Sequence, residues 1–355
     1  MPSELSVVLW LYARPEFSWI NISRLSQNHD ISRLYIVHDG LRKDASNIER
    51  NSHQQVRRLI LSQHFPPKVD VLTFEDNVDL TNHFFRVARV VLENCESFVN
   101  HEDDKISNKE IFRLFSEVEV DKNLPQFFDT RNLQVHQWKD SVWRRALYSI
   151  NGVNLMNRSL VDSAENDFRT KVFDSQAIKK TIEEFYNQIL FKKSDIGRVV
   201  SRLAEIISWG LTNPNRPDSL INYTLLSRKQ LKHVTNLNLS HDLSAIDFRG
   251  ANQEYLEKED LQICYDVTLR KTDMGAICEN CEIEGIKSRV PLGFQSRAKA
   301  YLSFYLDWFT GMGSGPKAQA KKTKSKAQEF SSDQLLKYLS MNFLDHSYYL
   351  INVYN

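Results

Sequence analysis

The sequence predicts an α/β fold with a mostly parallel central sheet flanked by helices, and three observations lead there. Across residues 5–104, short apolar runs of strand length alternate with longer segments of helical period, the pattern of repeated βαβ units. Three of the four runs stop at a polar cluster: Ala13-Arg14, His38-Asp39-Gly40 and Glu102-Asp103-Asp104. Apolar residues make up 41% and charged residues 26%, enough for a packed core and too apolar for disorder.

The elements follow in order. Residues 5–12 (LSVVLWLY) are short and rich in β-branched and aromatic residues, which suits a buried strand. Pro15 opens a helix, its fixed φ being suited to the first turn, with Phe17, Ile20 and Leu25 facing inward. A second strand, 33–37, ends at the turn residues His38-Asp39-Gly40. A polar helix over 45–62 carries Val56, Leu59 and Ile60, and Val69–Thr73 forms the third strand. Leu80, Phe84, Val87, Ala88 and Val91 recur at helical spacing, giving an amphipathic helix over 79–94. Residues 97–100 are a fourth strand that runs into the three acids at 102–104.

Beyond residue 105 the pattern loosens. A helix is expected over 108–117, irregular polar chain over 118–145, and a return to the sheet over 146–155. Helices are expected near 176–190, 194–209 and 218–232, the last opened by Asp218 after a Pro-rich loop. Residues 256–310 form a C-terminal extension, 311–330 a flexible linker whose first part holds five lysines and no acid, and 331–355 a short helix with a docking segment.

The 46 basic and 45 acidic side chains leave a net charge of +1, so no global field favours nucleic acid as a partner. No run of about 18 apolar residues is present to span a membrane. The N-terminus lacks the basic start and uninterrupted apolar core of a secretory signal. Of four cysteines, only Cys278 and Cys281 have C-x-x-C spacing, and a structural zinc site needs two more ligands. A cytoplasmic location is expected. No Gly-rich dinucleotide fingerprint and no P-loop occurs. Ligands of open α/β sheets nevertheless gather at the carboxyl ends of strands, where the three polar clusters fall.

Three consecutive acids repel one another unless a cation neutralises them. Hard divalent cations prefer carboxylate oxygen, and Mg²⁺ in nucleotide sites is held by one or two carboxylates and completed by substrate phosphates. Such an ion stabilises a departing diphosphate as a Lewis acid. The alternative for Glu102-Asp103-Asp104 is a solvated acidic turn.

These residues resemble the donor half of bacterial GT-A glycosyltransferases of the haemolysin-like type, related to the N-acetylglucosaminyltransferases of N-glycan maturation. Four landmarks carry the resemblance in order: Arg14-Pro15, Asp39-Gly40, the Asn77–Leu80–Asn82 element and Glu102-Asp103-Asp104. A looser likeness covers residues 146–254, through Ile150–Asn154, Asp218–Ile221 and Asn236–His241. The resemblance implies a GT-A domain over 1–255, with a nucleotide-sugar and metal half at 1–105 and an acceptor half at 146–255. It implies a metal-dependent hexosyl- or N-acetylhexosaminyltransferase using Mn²⁺ or Mg²⁺. A sugar would move from a nucleotide-diphosphate donor, a UDP-sugar first, to a glycan, lipid-linked or other hydroxyl acceptor with inversion.

The roles it implies are these. Asp104 coordinates the metal, Asp103 contacts ribose or donor sugar, and Glu102 orients the site. Asp39 receives the base, Ala13 and Arg14 line the nucleotide pocket, and Asn77 and Asn82 belong to the donor side. His241 reaches the diphosphate or metal, and Asp218 is the catalytic base; surface placement and helix N-capping are the alternative readings of these two. The family's Trp-Gly-Trp-Ala-Thr-Trp signature is absent, Val172–Gln176 standing in its place. That departure leaves a second function open, a GT-A-fold nucleotide- or glycan-binding protein without catalysis. Residues 298–309 (AKAYLSFYLDWF), followed by the lysine-rich linker, suggest in addition peripheral contact with the inner face of a membrane.

Overall fold

Strand β1 (Ser6–Leu11) is buried along its length in the computed structural model, as a strand covered on both faces must be. The structure describes residues 4–107, 110–130, 143–146, 153–171, 173–187, 217–235 and 240–242. Expected features at 194–209 and from 243 onward, including the extension, the Cys278–Cys281 pair and the linker, lie outside the described residues.

The described residues divide into two compact units that interleave along the chain. The first comprises residues 4–77, 100–116 and 240–242; the second comprises 78–99 and 117–235.

In the first unit, helix α1 (Pro15–Ser26) starts at Pro15 as expected and buries Phe17, Ile20 and Leu25. Strand β2 (Arg33–His38) pairs parallel to β1, with Leu11 opposite His38, so both strands end at one edge. Helix α2 (Asn47–Leu61) is capped by Ser46, whose hydroxyl accepts from the Glu49 N–H, and buries Val56, Leu59 and Ile60. Strand β3 (Val69–Thr73) pairs parallel to β2 and is half-exposed. The strand order here is β3-β2-β1-β4, where β4 (Ser97–Glu102) starts in the second unit and ends in the first. A turn at Asp103-Asp104 leads to β5 (Lys105–Ser107) and helix α4 (Glu110–Ser116).

In the second unit, helix α3 (Leu80–Leu92) is capped by Asp79 and buries Phe84, Val87, Ala88 and Val91. Leu80 departs from expectation: it is 43% exposed, while Thr81 and His83 of the same turn are buried. The strand order runs from β4 through residues 154–157, 127–129 and 232–235 to 143–146. Strands β6 (Phe127–Asp129) and β7 (Trp143–Ala146) fall in the 118–145 stretch expected to be irregular, and β8 (Asn154–Asn157) overlaps only the end of the 146–155 segment expected to return to the sheet, of which 147–152 lie outside the described residues. Helix α5 (Arg158–Thr170) had no expectation, α6 (Ser175–Asn187) matches its own, and α7 (Pro217–Ser227) ends earlier than the 218–232 expected. Residues 232–235 form β9 (Lys232–Thr235) instead, parallel to β6. Strand β10 (Ser240–Asp242) pairs antiparallel to β5 in the first unit. The fold class is thus α/β, with a mixed, mostly parallel sheet flanked by helices.

Candidate functional site

The carboxyl ends of β1, β2 and β4 in the first unit carry the candidate site. They are tied at one edge by side chains: Trp10 Nε1 donates to Asn100 Oδ1 at 2.6 Å, and the Tyr12 N–H donates to Asp103 Oδ2 at 3.3 Å. Asn21, from the buried face of α1, donates to the carbonyls of Asp103 (2.8 Å) and Lys105 (3.0 Å), fixing the acidic turn from below. His101, wholly buried, bridges the same turn through the Glu102 carbonyl (2.9 Å) and Ser107 Oγ (3.1 Å). Burial lowers its pKa to about 3, so it serves as a neutral staple.

The acids are neutralised largely within the chain. Arg14 NH1 donates to Asp103 Oδ1 at 2.6 Å and lies 3.2 Å from Asp104 Oδ2. Lys105 Nζ donates to Asp104 Oδ1 at 2.8 Å and lies 3.2 Å from Glu102 Oε2. Arg14, Asp103, Asp104 and Lys105 are all buried, while the Glu102 side chain is 43% exposed. Burial raises the pKa of Asp103, Arg14 opposes the rise and the Asp104 charge adds to it. Asp103 thus directs Oδ1 to Arg14 and Oδ2 to the Tyr12 N–H.

The donor set can be judged from this geometry. Among the described residues, no group of three or more His, Cys, Asp or Glu side chains is arranged around one point. Asp104 and Glu102 do converge on a single positive centre, the Lys105 ammonium. Two hard carboxylate oxygens converging on a stand-in cation fit a divalent ion that takes its remaining ligands from phosphate and water. The backbone places His241 opposite Ile106 and Asp242 opposite Lys105, one strand away from the acidic turn.

Beside this turn lies a second polar cluster. The Tyr12 hydroxyl donates to Glu49 Oε1 at 2.5 Å and accepts from the Arg42 N–H at 3.2 Å. Arg42 grips both Glu49 oxygens at 2.9 Å. Burial would raise the Glu49 pKa, but the hydrogen bonds from Arg42 and Tyr12 outweigh it and the net shift is downward. The Tyr12 phenol is pushed up, by burial first and by Glu49 second. The His38 and His53 ring centroids lie 4.3 Å apart with the planes tilted by 34°, and His53 Nε2 donates to the Asp39 carbonyl at 2.8 Å.

Asp39 stands at the end of β2, half-buried, with Oδ1 accepting from the Gly40 N–H at 2.8 Å. Burial lifts its pKa to about 6, with the Gly40 N–H pulling the other way. Asn77 Nδ2 donates to the Gly40 carbonyl at 2.8 Å and lies 3.5 Å from Asp39 Oδ2. Gly40 is required by contact: a Cβ there would meet the Asp76 C at 2.4 Å and the Asn77 N at 2.5 Å.

The first unit therefore brings together Arg14, Asp39, Asn77 and Glu102–Asp104, with buried Ala13 between β1 and α1. Asn82 and Asp218 belong to the second unit. Asn82 is exposed and bonds to its N-cap, its N–H donating to Asp79 Oδ1 at 3.0 Å. Asp218 is exposed in the first turn of α7. The helix starts at Pro217, so the N-capping alternative for Asp218 is corrected: it is the second helical residue. Its charge reaches buried Lys232, whose pKa burial lowers to about 8 against the pull of Asp129 and Asp218. Sequence reasoning missed Tyr12, Asn21, Arg42, Glu49 and Lys105; only Lys105, adjacent to three acids, carried a local signal.

No known family profile matches the chain, and no curated protein matches it. Solved structures match parts of the chain at low identity. A 4-diphosphocytidyl-2C-methyl-D-erythritol synthase from Anaerococcus prevotii shares 12% identity over 58% of this chain and 83% of that one, with a TM-score of 0.28. A mannose-1-phosphate geranyltransferase from Thermus thermophilus shares 10% identity over 70% and 80%, with a TM-score of 0.35. A UDP-glucose pyrophosphorylase complexed with UDP-glucose shares 9% over 46% and 80%, with a TM-score of 0.27. Among the described residues no helix is long and apolar enough to cross a membrane.

Proposed function

We propose that the chain is a nucleotide-sugar-dependent glycosyltransferase that moves a sugar from a UDP-sugar to an acceptor hydroxyl with the help of Mn²⁺ or Mg²⁺. One observation carries the reading. The Asp104 and Glu102 oxygens converge on one positive centre, at the strand-end edge that also holds Arg14 and Asp39-Gly40.

In this reading Asp104 and Glu102 hold the cation, and His241 on the neighbouring strand is a further ligand. The ion, when bound, offsets charge on the leaving diphosphate. Asp39 accepts an N–H from a pyrimidine, which favours its ionised form. Gly40 and Asn77 keep the Asp39 loop in place, and buried Ala13 backs the nucleotide pocket. Arg14 holds Asp103 and steadies Asp104 from the side opposite Lys105. Asp218 takes the proton from the acceptor hydroxyl as its oxygen attacks the anomeric carbon. Its exposure leaves it open to an acceptor. The acceptor is a glycan or lipid-linked hydroxyl, with residues 298–309 and the following lysines touching a membrane surface in the lipid case.

The test is a screen of nucleotide sugars for release of free nucleotide diphosphate with Mn²⁺ present. Turnover of one donor, lost on adding a chelator, supports the reading. Binding of a nucleotide sugar without any turnover supports the non-catalytic alternative, and no response to any nucleotide refutes both.

A further inference from the structure

The Lys105 ammonium lies between the two carboxylates proposed to hold the divalent cation, 2.8 Å from Asp104 Oδ1 and 3.2 Å from Glu102 Oε2. Its side chain is 6% exposed. An ammonium and a divalent cation cannot share these oxygens, because their mutual repulsion in a desolvated site is large. The main chain of Lys105 is held independently of its side chain. Its carbonyl accepts from Asn21, and its backbone pairs in register with Asp242 on β10. The turn is therefore anchored without the ammonium, and Asp104 Oδ2 has Arg14 beside it as well.

We propose that Lys105 is a built-in competitor for the divalent cation, making metal and nucleotide diphosphate bind together. Metal alone must break a buried ion pair and strand the ammonium. Metal arriving with a diphosphate gives the displaced ammonium a new anionic partner, and Lys is a flexible point charge suited to that exchange. This inference rests on the functional reading above, the competition at Asp104 on its cation site alone and the coupling on its nucleotide donor as well.

The experiment measures Mn²⁺ uptake by electron paramagnetic resonance, first with no nucleotide present. Lys105→Met and Lys105→Gln remove the competitor and are expected to take up Mn²⁺ at least about tenfold more tightly than the wild type. Lys105→Arg keeps a cation there and is expected to behave like the wild type. Adding Asp104→Asn to Lys105→Met is expected to abolish the gain, which places the ion. Equal or weaker uptake by both neutral variants, or uptake by none of the proteins, overturns the proposal. A second arm adds UDP, which is expected to tighten Mn²⁺ strongly in the wild type and much less in the neutral variants. UDP that changes neither while the first arm succeeds refutes the donor reading and leaves the competition standing.

Discussion

Arg14→Ala tests whether the strand-end ion cluster is held as described. The guanidinium is 7% exposed and touches two buried carboxylates, Asp103 at 2.6 Å and Asp104 at 3.2 Å. Its removal leaves Asp103 with only the Tyr12 N–H among these partners, while Asp104 keeps Lys105. Breaking a buried pair by deleting one partner costs about 3–5 kcal/mol, because the remaining charge stays buried without compensation. At about 2–4 °C per kcal/mol for a domain of this size, the melting temperature should fall by roughly 10 °C. The deficit has a pH signature. The orphaned Asp103, whose folded pKa burial already raises, escapes its penalty by taking up a proton. The difference from wild type should therefore shrink as pH falls below neutrality. Adding Asp103→Asn to Arg14→Ala should recover part of the loss, a coupling that a double-mutant cycle by thermal melting reads directly. A melting temperature within about 1 °C of wild type, or losses that simply add, would refute the buried-pair account.

Gly40→Ala should destabilise by about 1–3 kcal/mol, because its Cβ would fall 2.4 Å from backbone of the neighbouring loop, and urea unfolding checks it. Asp39 has a folded pKa of about 6 against an ordinary value of 3.8, so the native state binds more protons between these values and loses stability as pH rises through that window. UDP affinity should rise over the same window, and both trends should vanish in Asp39→Asn, measured by melting and calorimetry. Asp218→Asn should keep donor affinity but lower transfer by roughly 10²-fold or more. An Asn variant turning over at the wild-type rate would move the base elsewhere, to Asp195, Asp242 or Asp247.

The first unit was legible because its strands are long, apolar and bounded by turn residues. Leu5–Tyr12 and Arg33–Val37 are read correctly from such runs alone. Strands β6 and β7 were not legible, since three- and four-residue strands show no period. Helix α5 escaped notice because only Leu160, Val161 and Ala164 of its thirteen residues are buried, too sparse a stripe to read. At the site, the acids could be found but their partners could not. Asn21 reads as a polar interruption of α1 and Tyr12 as the last residue of a strand; only the fold turns both toward the acidic turn. Three adjacent acids also find a local counter-charge here, since Arg14 and Lys105 neutralise much of their charge from within.

The central claim, that the carboxyl ends of β1, β2 and β4 hold a nucleotide diphosphate and a divalent cation, is tested most directly by calorimetric titration of UDP. The titration is run with Mn²⁺ and with a chelator, on the wild type and on Asp104→Ala. The account predicts saturable UDP binding in the wild type that depends on Mn²⁺ and is lost in Asp104→Ala, with the variant still folded. UDP binding that ignores both the metal and Asp104, or no binding at millimolar concentration, would contradict it.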